Sequence, residues 1–358
     1  MSRQRLMLLL IVALAAISAA MYLSAQRNLA RDARGTPLLP TLANELNSVT
    51  ALSVRKGSAA PTVSVHKRGD AWSVAERADY PADVSKVRKL LLALSDTRIL
   101  EEKTSDPARY AVIGVEDPST PDAGGAEINW TAQDGKHGVI VGKPVGEGNF
   151  VRRSGEKASY SVAPRITFEA EPRFWIDGRL PDLKATDIQS IEVTPAAGPA
   201  YSIHKTGDGF SLVGAPKGRE AADPKFLTPA ASTFNGLTAD DVAAAADIDF
   251  TQASTAAITL SDGDVVTLTG TAVGDKRWLK MASAKHAESY AKTAGRAFQI
   301  ASYRYDGIFK PLEQMLVPKP QAADTKQPLP AKQTLPAKQT LPAKQTLPAK
   351  QTLPAKKP

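Results

Sequence analysis

Two histidines at equivalent positions of a repeated sequence are the residues best suited to chemistry. His66 and His204 each stand shortly before a Gly-Asp pair. If the two imidazoles converged, they could hold a metal ion or transfer a proton. Each histidine, however, falls on the polar phase of a predicted strand, which favours a surface position. His137 and His286 have no partner at ligand spacing, so the sequence predicts no metal-binding residue.

The remaining short patterns lack residues that known sites require. The Gly-rich run 142–148 does not end in the Gly-Lys-Ser/Thr of a phosphate-binding loop. Ser53 and Ser154 each begin a Ser-x-x-Lys pattern, but both fall in predicted strands or turns, without the companion motifs of acyl enzymes. Residues 68–70 spell Arg-Gly-Asp, yet the second copy keeps only the Gly-Asp turn. Three further carboxylates are assigned to the surface: Glu101, Glu102 and Asp106. We therefore expect no catalytic residue, no cofactor and no enzymatic activity.

The positive charge of the chain lies at its two ends. The formal net charge of +8 divides into +4 for residues 1–34, about −3 for residues 35–317 and +7 for residues 318–358. A nucleic-acid-binding domain carries its positive charge on the folded face, so nucleic acid is excluded as a partner. The chain has no cysteine, which excludes disulfides, thiolate metal sites and a lipoprotein attachment site.

The N-terminus is typical of a membrane anchor. Leu6–Leu23 is a run of 18 residues without a charge, and as a helix it would be roughly 27 Å long. A cleaved signal peptide is the alternative, but Ser18-Ala19-Ala20 would place the cut inside the apolar run. Arg3 and Arg5 favour a cytoplasmic N-terminus, while three arginines after the run oppose it. Because long C-terminal domains translocate largely regardless of such charges, we expect the body outside the cytoplasmic membrane, on the periplasmic side.

The C-terminus is a low-complexity tail. Residues 318–358 contain four copies of Lys-Gln-Thr-Leu-Pro-Ala, with no apolar periodicity that could form a core. We expect a disordered segment of extended polyproline character. It could act as a spacer or bind an envelope polymer through its lysines, or it could be a tandem duplication without a dedicated role.

The body between these ends reads as two copies of one unit. Residues 64–74 align with residues 202–212, and six of the eleven positions are identical. Further blocks follow in the same order, such as 150–152 with 278–280. The alternation of apolar and polar residues predicts strands at these positions. The predicted strands are 49–55, 62–67, 71–75, 126–132, 137–141, 148–153, 158–162, 255–260, 264–269, 276–281 and 296–301.

Each copy also carries one predicted amphipathic helix. In the first copy Asp83 can cap a helix whose apolar stripe ends at Leu94. In the second copy Asp223 and Pro224 favour a helix start, although Pro229 would shorten or kink the helix. The fold class is therefore α+β, with two tandem units of antiparallel sheet and one helix each. The predicted boundaries are 1–5 for a cytoplasmic N-terminus, 6–23 for a transmembrane helix, 24–46 for a linker, 47–180 and 187–317 for the two units, and 318–358 for the tail.

The order of several short blocks resembles one bacterial family, that of domain of unknown function 4340. The blocks are Ser48–Val54, Gly69–Val74, Tyr80–Leu91, Arg109–Pro118, Val141–Lys143 and Phe150–Arg152. The resemblance covers about residues 40–310. It implies membrane anchoring, and some relatives are linked with ABC-type transport systems or with auxiliary components of gliding motility. It assigns no catalytic residue.

The anchor, the duplicated body and the resemblance together favour a non-catalytic accessory or scaffold protein with a membrane-protein partner, for which an ABC-type permease is one candidate. A binding module for a cell-wall or other extracellular polymer is the first alternative. An unrecognised envelope hydrolase, which would need a deep pocket with converging polar groups, is the second.

Overall fold

The computed structural model describes residues 12–21, 35–207, 209–224, 227 and 232–317. Of the predicted transmembrane segment 6–23, only residues 12–21 are described, and they are helical. None of the described helices is both long enough and apolar enough to cross a membrane. The predicted tail 318–358 and Pro229 of the predicted second helix lie outside the described residues.

The first repeat forms one antiparallel sheet, of nine strands within the described residues. Its order is β4-β3-β2-β1-β6-β7-β8-β9-β5. The strands are β1 Ala51–Arg55, β2 Val63–Arg68, β3 Ala71–Val74, β4 Tyr80–Pro81, β5 Arg98–Glu102, β6 Ala126–Ala132, β7 Gly135–Val145, β8 Gly148–Arg153 and β9 Ser159–Ala163.

The second repeat forms another antiparallel sheet, of eight strands in the part of the chain that the structure describes. Its order is β12-β11-β10-β14-β15-β16-β17-β13. The strands are β10 Ile188–Thr194, β11 Tyr201–Thr206, β12 Gly209–Val213, β13 Asp241–Ala244, β14 Ser254–Leu260, β15 Val265–Val273, β16 Lys276–Ser283 and β17 Arg296–Ile300. Apart from β4, the two orders match strand for strand, which is the arrangement expected of a duplicated unit.

The prediction of an α+β fold with two antiparallel sheets is confirmed. The helices are short and few among the described residues. Between residues 35 and 317, the α-helices that are described over their full length are Leu42–Glu45, Val84–Ser95, Tyr110–Ile113 and Ser302–Ile308. The 3₁₀ helices are Leu46–Ser48, Ala75–Arg77, Pro107–Arg109, Pro172–Trp175, Ala245–Asp247, Ala291–Thr293 and Leu312–Met315.

The segment before each repeat pairs with the edge of that repeat's sheet. Residues 36–38 exchange backbone hydrogen bonds with residues 97–99, at the start of β5. Residues 178–180 do the same with residues 237–239, shortly before β13. Within the predicted linker 24–46, Leu38 and Leu42 are fully buried. Residues 35–46 therefore contribute to the core of the first repeat.

Side chains of both repeats meet at a seam within one compact unit. The ring of Tyr80, at the start of β4, packs edge-on against Phe298 of β17 with 5.5 Å between centroids. Arg77 and Asp241 form an ion pair across the seam, with Nη2 donating to Oδ2 at 3.1 Å. A single cluster of buried apolar residues includes members of both sheets, so the repeats share one core.

The hydroxyl of Tyr80 is a polar group buried in this seam. Tyr80 is 0% exposed, and its Oη has no hydrogen-bond partner among the described residues. Burial, with a further contribution from the charge of Asp177, raises the pKa of Tyr80 to about 12. Tyr201 is buried too, but its hydroxyl donates to the carbonyl of Lys310 at 2.7 Å. Removing the two hydroxyls should therefore have different effects.

Tyr80→Phe should leave the free energy of unfolding unchanged or raise it by up to about 1 kcal/mol, because it removes a desolvated group with no partner. Tyr201→Phe, the matched control, should lower it by about 1 kcal/mol, because it leaves the Lys310 carbonyl without its donor. Denaturant unfolding of the full chain in detergent, followed by tryptophan fluorescence, measures both. An equal loss of stability in the two variants would contradict the conclusion that the Tyr80 hydroxyl has no hydrogen-bond partner.

Candidate binding surface around the Val84–Ser95 helix

The structure does not bring the two repeated histidines together. His66 lies on β2 and His204 on β11, so they belong to different sheets. The Nε2 atom of His66 is 3.1 Å from the hydroxyl of Ser73 and 3.1 Å from a carboxylate oxygen of Asp79. These contacts explain His66 as part of a surface hydrogen-bond network.

The serines of the two Ser-x-x-Lys patterns have ordinary structural roles. Ser53 lies within β1. The hydroxyl of Ser154 donates to Oε1 of Glu127 at 2.5 Å, and Arg55 donates to Oε2 of the same carboxylate at 2.6 Å. Burial alone would raise the pKa of Glu127, but the hydrogen bonds from Ser154, Arg55 and Asn129 outweigh it and hold the pKa below its usual value. Ser154 thus stabilises an ionised carboxylate.

The Gly-rich run and the Arg-Gly-Asp tripeptide both lie at hairpin turns. Gly142 is near the end of β7, Gly148 begins β8, and Gly146 between these strands has a φ of +51°. Gly69 opens the two-residue connection between β2 and β3 with a φ of +60°. The position of residue 69 explains the Gly-Asp pair, because only glycine adopts this backbone conformation without strain.

The helix predicted after Asp83 is the longest described helix of the body. Val84–Ser95 begins where the Asp83 side chain accepts a hydrogen bond from the backbone N–H of Ser85 at 3.0 Å. Its buried apolar residues are Val87, Leu90, Leu91 and Leu94. Their spacing of three or four residues places them on one face, against the first sheet. The predicted helix and its cap are thus observed.

One flank of the helix borders a groove. Val84 and Leu92 are 42% and 43% exposed, although both are large apolar residues. They border a cavity of about 230 Å³ between the helix, β2, β3 and the turn before β1. We define the helix groove by the residues that line this cavity: Leu46, Asn47, Val49, Lys67, Trp72, Val84, Val87, Arg88, Leu91 and Leu92.

The helix groove is positively charged. Lys67 and Arg88 line it, and Lys89 follows on the same helix. None of these three side chains forms an ion pair or a hydrogen bond with a described residue. The helix itself carries three basic residues and no acidic residue between Val84 and Ser95. A partner with apolar side chains and carboxylates would complement both the shape and the charge of the groove.

A second cavity, of about 380 Å³, lies on the other flank of the helix. Phe174 is exposed at its border and stands edge-on to the buried Trp175, with 5.4 Å between centroids. Lys86 stands over the Phe174 ring at 4.7 Å and donates to the Phe174 carbonyl at 2.6 Å. These contacts hold Phe174 beside the helix, so the apolar and basic surface continues past the groove.

The sequence of the helix contains a pattern that indicates a binding surface. The apolar stripe of residues 84–95 alternates with Lys86, Arg88 and Lys89, which makes a basic amphipathic helix. That pattern is typical of helices that bind acidic partners or membrane surfaces. The exposure of Val84 and Leu92 could not be inferred, because it depends on residues far along the chain.

The comparison with family models identifies the chain. The model described as Domain of unknown function (DUF4340) matches residues 72–262, which is more than half of the chain. The chain belongs to the DUF4340 family. The matched region begins in β3, includes the whole Val84–Ser95 helix and ends just after β14. No curated protein and no solved structure matches the chain.

Within this DUF4340 protein, the orientation of the helix start depends on Asp83. Burial alone would raise the pKa of Asp83, but hydrogen bonds from the Ser85 hydroxyl and backbone, with the charge of Lys86, lower it below the usual value. A carboxylate at this position also interacts favourably with the positive end of the helix dipole. Asp83 is therefore ionised at neutral pH and stabilises the start of the helix.

Replacing Asp83 should destabilise the protein in a pH-dependent way. Asp83→Ala should lower the free energy of unfolding by about 1 kcal/mol at pH 7. Because the folded-state pKa is lowered, this difference should be present at neutral pH and disappear as the pH falls through that pKa. Asp96→Ala at the other end of the same helix is the control, and it should leave the free energy of unfolding unchanged. Thermal unfolding of the full chain from pH 7 to about pH 2 measures the effect. Equal losses for both variants would contradict it.

Proposed function

We propose that this DUF4340 protein is a membrane-anchored, extracytoplasmic accessory protein that binds a membrane-protein partner through the helix groove and catalyses no reaction. The observation that carries the proposal is the groove itself, in which exposed Val84 and Leu92 lie beside Lys67 and Arg88, and neither basic side chain is paired with a described residue. Large apolar side chains at a concave, charged surface are typical of protein interaction sites.

The chemistry of the groove defines the expected partner. Burying Val84 and Leu92 supplies a hydrophobic contribution to binding. The basic side chains select carboxylates and speed the encounter with an acidic segment. We therefore expect an extracytoplasmic segment that alternates apolar and acidic residues. Permeases of ABC-type transport systems are the class of partner that the family resemblance suggests.

The proposed location depends on the apolar run Leu6–Leu23. A span of 18 uncharged residues is long enough to act as an anchor. An anchor of this kind would keep the groove close to the membrane and therefore close to the external loops of membrane proteins. The tail 318–358 would extend toward envelope polymers and contact them through its lysines. This contact would be additional to the one that the groove makes with its partner.

The proposed orientation predicts the labelling of single cysteines, since the natural chain has none. A cysteine at the exposed position 273 (Val273→Cys) should react with a membrane-impermeant maleimide while the cytoplasmic membrane is intact. The control Ser2→Cys should react only after lysis. Labelling of both residues only after lysis would contradict an extracytoplasmic body.

The groove predicts a position-specific crosslink. A photoreactive amino acid at position 92 should crosslink in intact membranes to an integral membrane protein, and mass spectrometry should map the site to an acidic, apolar segment. Val273, 45% exposed compared with 43% for Leu92, is the matched control and should give no such product. Arg88→Glu should reduce the yield about tenfold, as loss of a complementary charge predicts.

Three outcomes would count against the proposed partner. Equal crosslinking at positions 92 and 273 would show that the groove has no special role. Crosslinks from position 92 to lipid alone would indicate a membrane-surface contact instead of a protein partner. The exposed Lys276, changed to Glu on β16, is the charge control, and an equal loss with Lys276→Glu would show that net charge and not the groove governs the yield.

A further inference from the structure

Three potential metal ligands that are far apart in the sequence meet beside the first sheet. Glu45 ends the Leu42–Glu45 helix, while Asp134 and His137 belong to the hairpin between β6 and β7. One ligand atom from each residue lies within 4.8 Å of the other two. The Nε2 atom of His137 is 2.7 Å from Oδ1 of Asp134. The fold thus brings one imidazole and two carboxylates to one point.

Two polar atoms at this point have no partner among the described residues. The Oε2 atom of Glu45 is buried and accepts no hydrogen bond. The indole N–H of Trp130 is buried as well, in a residue that is only 3% exposed, and it donates to no acceptor. Buried polar groups in proteins are normally paired with protein, water or a ligand. The unpaired Glu45 oxygen belongs to the carboxylate that contributes to the ligand cluster, so a cation bound there could satisfy it.

The surroundings hold the imidazole in a fixed orientation. The ring of His137 stacks on the buried ring of Trp130, with 5.6 Å between centroids and 20° between planes. Both residues line a cavity of about 560 Å³ that is open to solvent on one side. A ligand could therefore reach the imidazole. A preoriented imidazole loses little freedom when it binds an ion.

The charges near the cluster permit a cation. Asp134 supplies a carboxylate, with its Oδ1 atom 2.7 Å from Nε2 of His137. The guanidinium of Arg153, which lines the same cavity, is already engaged by Glu156 at 3.0 Å and by the carbonyl of Leu38 at 2.7 Å. Among the described residues that line this cavity, Lys136 is the other lysine or arginine. The two carboxylates outweigh this one exposed charge.

From this geometry we infer that Glu45, Asp134 and His137 form a binding site for a divalent transition-metal ion, with Zn²⁺ as the probe that suits it best. Imidazole and carboxylate are both ligands of Zn²⁺, at about 2.0–2.2 Å. Ligand atoms around a tetrahedral ion at this distance are about 3.4 Å apart, so small side-chain rotations from the observed separations suffice. Three protein ligands leave one position for water or for a partner's side chain.

The same chain contains a matched control for this site. His286 and Asp262 form a second histidine–aspartate pair, with Nε2 and Oδ2 2.7 Å apart and both side chains about half exposed. This pair belongs to no cluster of three ligands within the described residues. This second pair therefore presents a histidine–aspartate contact without a third ligand. Comparing the two pairs measures the contribution of Glu45 to metal binding.

Isothermal titration of the full chain, in detergent and without a polyhistidine tag, with ZnCl₂ tests the site. One Zn²⁺ should bind per chain, and each of Glu45→Gln, Asp134→Asn and His137→Gln should weaken binding by at least about tenfold. His286→Gln should change the affinity by less than about twofold. Circular dichroism of each variant without metal checks that the fold is retained.

A second measurement tests the coordination geometry of the site as well as its affinity. CoCl₂ in place of ZnCl₂ should give visible absorption bands of a tetrahedral Co²⁺ site, and the bands should be lost in His137→Gln but retained in His286→Gln. The inference is overturned if the wild-type chain binds no Zn²⁺ or if Glu45→Gln binds as tightly as the wild type. It is equally overturned if His286→Gln weakens binding as much as His137→Gln.

Discussion

The two repeats depend on one short stretch of backbone, Ile176–Leu180, whose hydrogen bonds are divided between them. The N–H of Asp177 donates to the carbonyl of Pro81 in the first repeat at 2.9 Å. The N–H of Leu180 donates to the carbonyl of Leu237 in the second repeat at 3.1 Å. A Cβ atom on Gly178 would stand 2.6 Å from the Ala239 carbonyl oxygen, so glycine permits this close approach. Because unpaired buried backbone groups are costly, separating either repeat from this stretch is unfavourable.

Much of the fold was predictable because the strands are half-buried and their apolar residues alternate. The strands predicted at 126–132 and 148–153 coincide with β6 and β8. The outer strands β5 and β13 were missed, because their segments are short and show no clear alternation. The segment before each repeat was missed because it pairs with residues about 60 positions away.

The candidate sites were less predictable than the fold, and the cause is sequence distance. Asp134 and His137 are three residues apart and could have been paired as neighbours in a hairpin, but Glu45 is about 90 residues away. Burial of its oxygen depends on the docking of residues 35–46 against the first sheet. The groove has the same origin, since Leu46 and Trp72 reach it from separate elements. Chemistry that depends on such long-range contacts leaves no local motif.

The differences between the repeats place both sites in the first one. The second repeat has Ile258 opposite Val266 where the first has Trp130 opposite His137, so it lacks the imidazole. In the first repeat, Glu45 of the metal site is followed directly by Leu46 and Asn47 of the helix groove. An ion bound to Glu45 and Asp134 would tie this turn to the β6–β7 hairpin. Since a ligand that binds one arrangement stabilises it, metal binding would hold one wall of the groove in place and would thereby be linked to partner binding.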